Sequence, residues 1–254
     1  MNAGESIRSR ALRGEVCLGL SVLMPWQFIP ELAKAVGYDY IRLDLEHSYL
    51  SESEVRSLLQ AARLCGIPAQ VRVPDLGGIT PLLGQEPAGI MVPHVSSAAE
   101  AQVAIDLCRF SPAGQRGMDG GTRLMRCEGL SRQVFMAYAT DSQSLIVQIE
   151  SREGIDRIDE ILSLEGIDMV ATGRADLSQA LGVPGSKNDL AVLEAEEYII
   201  RKAIEHGKIP TIAVDSRERF QQLYDLGVRC FQIGKDERLL IKALKKNRTD
   251  YEIT

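Results

Sequence analysis

Residues 145–185 read LIVQIESREGIDRIDEILSLEGIDMVATGRADLSQALGVPG. Leu145 to Ile149 is a short run rich in β-branched residues that stops at Glu150, and Met169 to Thr172 is a second that stops at Gly173. Gly154 to Leu162, between them, has the apolar spacing of a helix, and another helix begins near Asp176. Strand, helix, strand, helix in that order is the unit of a parallel sheet with helices as crossovers.

The same alternation extends in both directions. Further strands are expected at Val16 to Ser21, Tyr40 to Leu45, Ala69 to Val73, Gly89 to Val92, Thr211 to Val214 and Cys230 to Ile233. Amphipathic segments fall between them at Gln27 to Val36, Ser53 to Cys65, Ser97 to Cys108, Asp189 to Glu205, Arg217 to Leu226 and Asp236 to Lys246. Eight strands separated by crossovers predict an α/β fold closed as a (β/α)8 TIM barrel, one domain over residues 1–254. The interval between the fourth and fifth strands is too long for one helix. Its stretch SPAGQRGMDGGTRLMR, rich in glycine and arginine, reads as a long loop at the barrel mouth.

Composition narrows the partners. A net charge of −6 argues against a sequence-independent nucleic-acid binder, which would need a basic stripe to displace counterions from phosphates. The five cysteines are odd in number, widely spaced and without a C-x-x-C, so they read as buried thiols of a cytoplasmic protein. No apolar run is long enough to span a membrane, which leaves a small molecule as the expected partner.

In such a barrel the reactive groups stand just after the strands. The second strand runs into Asp44, Glu46 and His47, the third ends on Arg72, the fourth leads to His94, and the fifth ends on Gln148 and Glu150. The sixth leads through Gly173 and Arg174 to Ala175 and Asp176. A carboxylate at the end of a buried strand needs a partner to offset desolvation, and for Glu150 that is a cation, or Arg152 or another arginine at the mouth. Asp176 could hold the same cation or cap the helix it begins. Two carboxylates leave most of an octahedral shell to water and substrate, which suits Mg²⁺, Mn²⁺ or Co²⁺. Arg72 offers a planar fork to a keto oxygen or carboxylate, against a structural pair with Glu46 or Glu150. His47 is placed for proton transfer. No lysine ends the sixth strand, Lys235 being the one strand-end candidate for a Schiff base, and the last two turns lack the glycine pairs of a phosphate site.

Together with GYDYIRLDLEHS, VRVP, IMVPHVSSAAEA and FSPAGQRG, the quoted stretch resembles the HpcH/HpaI family of class II, metal-dependent pyruvate aldolases, from about Leu18 to Leu244. The resemblance implies a barrel of the phosphoenolpyruvate/pyruvate type and cleavage of a 4-hydroxy-2-oxo acid to a 2-oxo acid, such as pyruvate, and an aldehyde. It further implies metal ligands at Glu150 and Asp176, a keto-binding Arg72, a catalytic His47, and Gln148 beside a metal-bound water. The substrate carboxylate would rest on the N–H groups of Ala175 and Asp176, and the assembly would be a homo-oligomer, in that family a hexamer. Three departures stand out. Gly84 occupies the position of the aspartate that pairs with the family's histidine, which leaves Gln85, Glu86 or His94 as substitutes. Arg174 replaces a proline and could bind a second substrate carboxylate, and His94 replaces an apolar residue. The altered dyad keeps two other readings open: another metal-enolate reaction, such as decarboxylation or addition to a different acceptor, and a non-catalytic oxo-acid-binding protein.

Overall fold

The computed structural model describes residues 6–118 and 122–251. Eight strands, β1 (Cys17–Val22), β2 (Tyr40–Asp44), β3 (Ala69–Arg72), β4 (Gly89–Val92), β5 (Ser144–Ile149), β6 (Met169–Thr172), β7 (Ile209–Ala213) and β8 (Cys230–Lys235), pair in parallel in chain order. β8 returns to β1 and closes a (β/α)8 barrel, as expected. The helices are α1 (Ile7–Leu12), α2 (Ile29–Ala35), α3 (Glu52–Cys65), α4 (Ile79–Leu83), α5 (Ala98–Cys108), α6 (Arg123–Glu128) and α7 (Arg132–Ser142) in the first part of the chain. After β5 come α8 (Arg152–Asp156), α9 (Ile158–Leu162), α10 (Arg174–Ala180), α11 (Leu190–Glu205), α12 (Arg217–Asp225) and α13 (Asp236–Thr249).

Local chemistry accounts for the helix ends. Ser51 and Glu54 form a reciprocal capping box at the start of α3, and Gly66 ends it with φ 74°, a left-handed conformation that favours glycine. Alternate strand residues face opposite ways. Ile41 and Leu43 of β2 pack outward in the main core with Val55, Leu58 and Leu59 of α3, whereas Tyr40 and Arg42 point inward. The inner floor is plugged by Cys17, Tyr40, Met91, Ile146, Met169 and Cys230, with Ile7 and Ala11 of α1 packed beneath. A Cβ on Gly19 would lie 2.3 Å from the Tyr40 ring, so this inward position has to be glycine.

Two expectations are corrected. The interval between β4 and β5 carries α6 and α7 rather than one open loop. Arg109, just before the glycine- and arginine-rich stretch, and Arg116 and Arg123 within it lie at the N-terminal end of the barrel, opposite the mouth. Arg109 binds the carbonyls of Gly166 and Gln143 and the carboxylate of Asp168, all just before β5 and β6, while Arg116 donates to Gln143 and to the Leu83 carbonyl. The physical reason is direction: α5 runs back down the barrel wall, so the chain that follows it emerges at the bottom. Residues 119–121 of the stretch lie outside the described residues. Among the cysteines, Cys17, Cys108 and Cys230 are buried, whereas Cys127 is exposed.

The barrel seam has its own clasp. The buried Asp236, first residue of α13, accepts from the N–H groups of Leu23, Met24 and Glu237 at 3.1, 3.0 and 2.8 Å, which joins the loop after β1 to the last helix. Beyond it α13 exposes Leu239, Leu240, Ile241 and Leu244. Among the described residues no helix is long and apolar enough to cross a membrane.

Candidate active site

Inward positions of β2 continue past the strand end as Asp44 and Glu46, and with Arg72 of β3 they build one wall of the mouth. Arg72 donates through Nε to Asp44 Oδ1 at 3.0 Å and through Nη2 to Asp44 Oδ2, while Nη1 lies 2.9 Å from Glu46 Oε2. Burial pushes the Asp44 carboxyl up, but the Arg72 hydrogen bonds and charge outweigh it and hold Asp44 below its ordinary value. Asp44 is thus the main anchor of Arg72, a partner the sequence reading passed over in favour of Glu46 and Glu150. The fork is fixed in place rather than left free to swing.

The opposite wall comes from β5 and β6. Glu150 is almost fully buried, its side chain only 1% exposed. Gln148, two residues earlier on the same face, donates through Nε2 to Glu150 Oε2, and its own Oε1 is buried with no partner. A Cβ on Gly173 would fall 2.1 Å from Glu150 Oε2 and 2.7 Å from Gln148 Nε2, so only glycine lets β6 approach this pair. Burial raises the Glu150 carboxyl from its ordinary value near 4.5 to about 7, against the pull of His94, with Asp176 and Glu46 adding to the rise. Glu150 finds its partner in His94 and not in Arg152.

Asp176 sits inside the first turn of α10, whose N-cap is Gly173 with no side-chain cap, so Asp176 does not cap the helix. Its Oδ1 has only Gln179 Nε2, 3.5 Å away. The first amide of this turn to find a backbone acceptor is that of Leu177, which leaves the N–H groups of Ala175 and Asp176 without partners. The Arg174 guanidinium, in contrast, is engaged: it lies 2.9 Å from Asn188 Oδ1, 3.3 Å from Asp215 Oδ1 and 3.7 Å from Glu196 Oε1.

Both mouth histidines are half exposed, but they are held differently. His94 adopts φ 55°, unusual for a side chain of this size, and its ring bridges the two walls. Nε2 lies 2.7 Å from Glu46 Oε1 and Nδ1 2.9 Å from Glu150 Oε1, which also accepts from the His94 backbone N–H at 3.0 Å. His47 Nε2 comes no nearer than 3.8 Å to Glu46 Oε2. Gly84 and Glu86 are remote from either ring: they lie between α4 and β4 at the N-terminal end, where Glu86 is paired with Arg123 and the Leu124 N–H. Within this chain His94, and neither Gly84 nor Glu86, stands in the neighbourhood of His47.

Glu150 and Asp176, with the unsatisfied Gln148 carbonyl, fit a hard divalent cation that keeps part of its shell for water and substrate. Among the described residues no group of three or more histidine, cysteine, aspartate or glutamate side chains is placed to hold a metal ion, so a cation here would rest on the two carboxylates and Gln148.

The HpcH/HpaI aldolase/citrate lyase family matches residues 27–243. A 4-hydroxy-4-methyl-2-oxoglutarate aldolase, tasA of Hapsidospora irregularis, is 31% identical over 245 residues, 92% of this chain and 90% of the relative. A 2-keto-3-deoxy-L-rhamnonate aldolase of Escherichia coli is 31% identical over 251 residues, 96% of this chain and 92% of the relative. Among solved structures, the citrate synthase SbnG superposes with a TM-score of 0.87 at 28% identity, covering 96% of both chains. An HpcH/HpaI aldolase from Desulfitobacterium hafniense DCB-2 shares the fold with a TM-score of 0.91 at 24% identity, over 99% of this chain and 98% of that one. The chain belongs to the HpcH/HpaI aldolase/citrate lyase family.

Proposed function

We propose that the chain is a divalent-metal-dependent carbon–carbon lyase that cleaves a 4-hydroxy-2-oxo acid into pyruvate, or a related 2-oxo acid, and an aldehyde. The observation that carries this reading is the two-walled mouth: Arg72 locked by Asp44 and Glu46 on one side, Glu150 and Gln148 pressed against Gly173 on the other. Aldolase relatives of full length support it.

Glu150 and Asp176 would hold Mg²⁺, Mn²⁺ or Co²⁺, and when bound the cation supplies Lewis-acid polarisation of the 2-oxo group. The chain's own groups do the rest. The Arg72 fork, pre-aimed by two carboxylates, donates to the oxygen that gains negative charge as the C3–C4 bond breaks. The uncapped N–H groups of Ala175 and Asp176 receive the substrate carboxylate. Gln148 Oε1 accepts from a water within the site. His47 and His94 are the imidazoles available to take the 4-hydroxyl proton. His94, oriented by two carboxylates, supplies the fixed geometry that His47 lacks. His94→Phe is expected to lower kcat by about 10²-fold or more; full activity across the pH range would rule out a shared role.

Incubation with Mn²⁺ and 4-hydroxy-2-oxo acids should release pyruvate, and chelation should stop it. Likeness to a citrate synthase of the same fold supports a second reading, in which the same site adds an enolate to another acceptor. Solvent deuterium entering pyruvate without cleavage would favour that reading, and ligand-induced thermal stabilisation without either reaction would favour a binding protein. The exposed apolar residues of α13 support a homo-oligomer, tested by sedimentation.

A further inference from the structure

One buried charge inside the barrel has no counter-ion. Arg42 points inward from the middle of β2, one layer below Asp44, and is buried. Its Nε and Nη2 donate to Gln70 Oε1 at 3.2 and 2.8 Å, and Nη2 also donates to Thr211 Oγ1 at 2.9 Å across the barrel. Both partners are neutral. Among the described residues Nη1, at the vertex away from the Gln70 edge, has no hydrogen-bond partner and no carboxylate lies within ion-pair distance of the guanidinium, while Nη1 itself is not sealed from solvent. The Tyr40 ring, its centroid 5.7 Å from Cζ, gives only partial compensation.

The other buried arginines show how unusual this is. Arg109 is matched by Asp168 and Arg219 by Glu196. An isolated buried cation is strongly disfavoured unless an anion joins it. Burial accordingly depresses the Arg42 guanidinium below its ordinary value.

A second observation marks the same layer. Gln232 of β8, in register with Gly19 of β1 and Ala213 of β7, is buried with both amide atoms unpartnered, and Gln148 Oε1 is unpartnered likewise. Donors and acceptors without partners thus cluster beneath the mouth, with a cation among them. Above them stand four carboxylates, Asp44, Glu46, Glu150 and Asp176, against the single guanidinium of Arg72. In the metal-free mouth the acids outnumber that guanidinium, and Arg42 adds positive charge from below.

We propose that Arg42, braced by Gln70 and Thr211 and flanked by Gln232, is the anion-recognition group of the barrel floor, taking a small monovalent anion at Nη1. The anion is the carboxylate of the 2-oxo acid, taken here in place of the Ala175 and Asp176 N–H groups, or a free ion such as chloride. The inference rests on the proposed function only for the first of these sources.

Wild type, Arg42→Met, Arg42→Lys and Gln232→Leu separate the possibilities. Mn²⁺ binding followed by electron paramagnetic resonance tests the metal reading alone: its absence in wild type would fail that reading without touching Arg42. Pyruvate binding by calorimetry with Mn²⁺ present should weaken at least tenfold in Arg42→Met and partly recover in Arg42→Lys, which identifies the substrate carboxylate. A rise in Tm with chloride against gluconate, seen in wild type and lost in Arg42→Met while pyruvate affinity is unchanged, identifies a free anion. Unchanged pyruvate affinity together with an unchanged chloride response overturns the proposal. Arg42→Met should also raise the Tm of the ligand-free protein, whereas a purely structural arginine would lower it. Gln232→Leu leaves the Arg42 hydrogen bonds intact, so it provides the same two readouts should Arg42→Met not fold.

Discussion

The two ends of the barrel use charge in opposite ways. At the N-terminal end Arg109 spends its donors on two backbone carbonyls and on Asp168, and Asp168 in turn receives the Leu145 N–H and Arg8. Glu86 is matched there by Arg123, Arg116 places its donors on the Gln143 amide oxygen and the Leu83 carbonyl, and among the described residues Gln85 Oε1 is the one buried side-chain atom at that end without a partner. At the C-terminal end the acids outnumber the bases and Gln148 keeps an unused acceptor. A saturated network fixes strand ends and resists change. An unsaturated one leaves stability unrealised and waits for a ligand.

Four changes would break or sharpen that contrast. Glu150→Gln should lower activity by about 10⁴-fold, the scale on which loss of one member of a catalytic unit acts, while the metal-free protein becomes no less stable. The pH dependence follows from the raised carboxyl. Folded Glu150 keeps its proton up to about pH 7, whereas the unfolded chain releases it near 4.5, so stability present below pH 4.5 is lost as pH rises through 7. Denaturant melts of metal-free protein should show that decline, and Glu150→Gln should lack it.

Arg109→Ala should cost about 3–5 kcal/mol of stability, since it takes from Asp168 its buried partner, leaving the more exposed Arg8, and strips the Gly166 and Gln143 carbonyls of their donor. Activity per folded molecule should be unchanged, and a matching loss of kcat would dissolve the distinction between the two ends. Gly173→Ala forces a methyl group onto Glu150 and Gln148, so Mn²⁺ affinity should fall about 10–100-fold and stability should drop by about 1–3 kcal/mol. Glu52→Gln breaks an exposed i,i+4 pair with Arg56, and the expected change is below about 0.5 kcal/mol, a baseline for charge that serves neither end.

The barrel itself was readable because buried parallel strands are short apolar runs at regular intervals, and all eight lie within two residues of their expected ends. The acidic and basic residues of the mouth were readable for the same reason, since they directly follow those runs. The segment after α5 was not. Glycine and arginine are plentiful at both ends of a barrel, and composition alone carries no information about which end a chain has reached. Arg42 was missed because the apolar reading of Tyr40 to Leu45 hid a second pattern: Tyr40, Arg42, Asp44 and Glu46 recur every two residues, the period of one strand face. His94 was singled out for its type, but its bridge between Glu46 and Glu150 depends on strands far apart in sequence, which no local pattern encodes.

The clasp at Asp236 has a consequence for how the molecule comes into being. The amides it holds belong to Leu23 and Met24, 213 and 212 residues earlier. During synthesis the loop after β1, which flanks the mouth, has no such anchor until nearly the whole barrel has been made. Contacts of such long range are slow to form, because the chain must lose the entropy of a very large loop before they reward it. Half-barrels that precede closure present β1 as an open edge to solvent. The order of manufacture therefore makes ligand binding at the mouth one of the last properties the chain acquires.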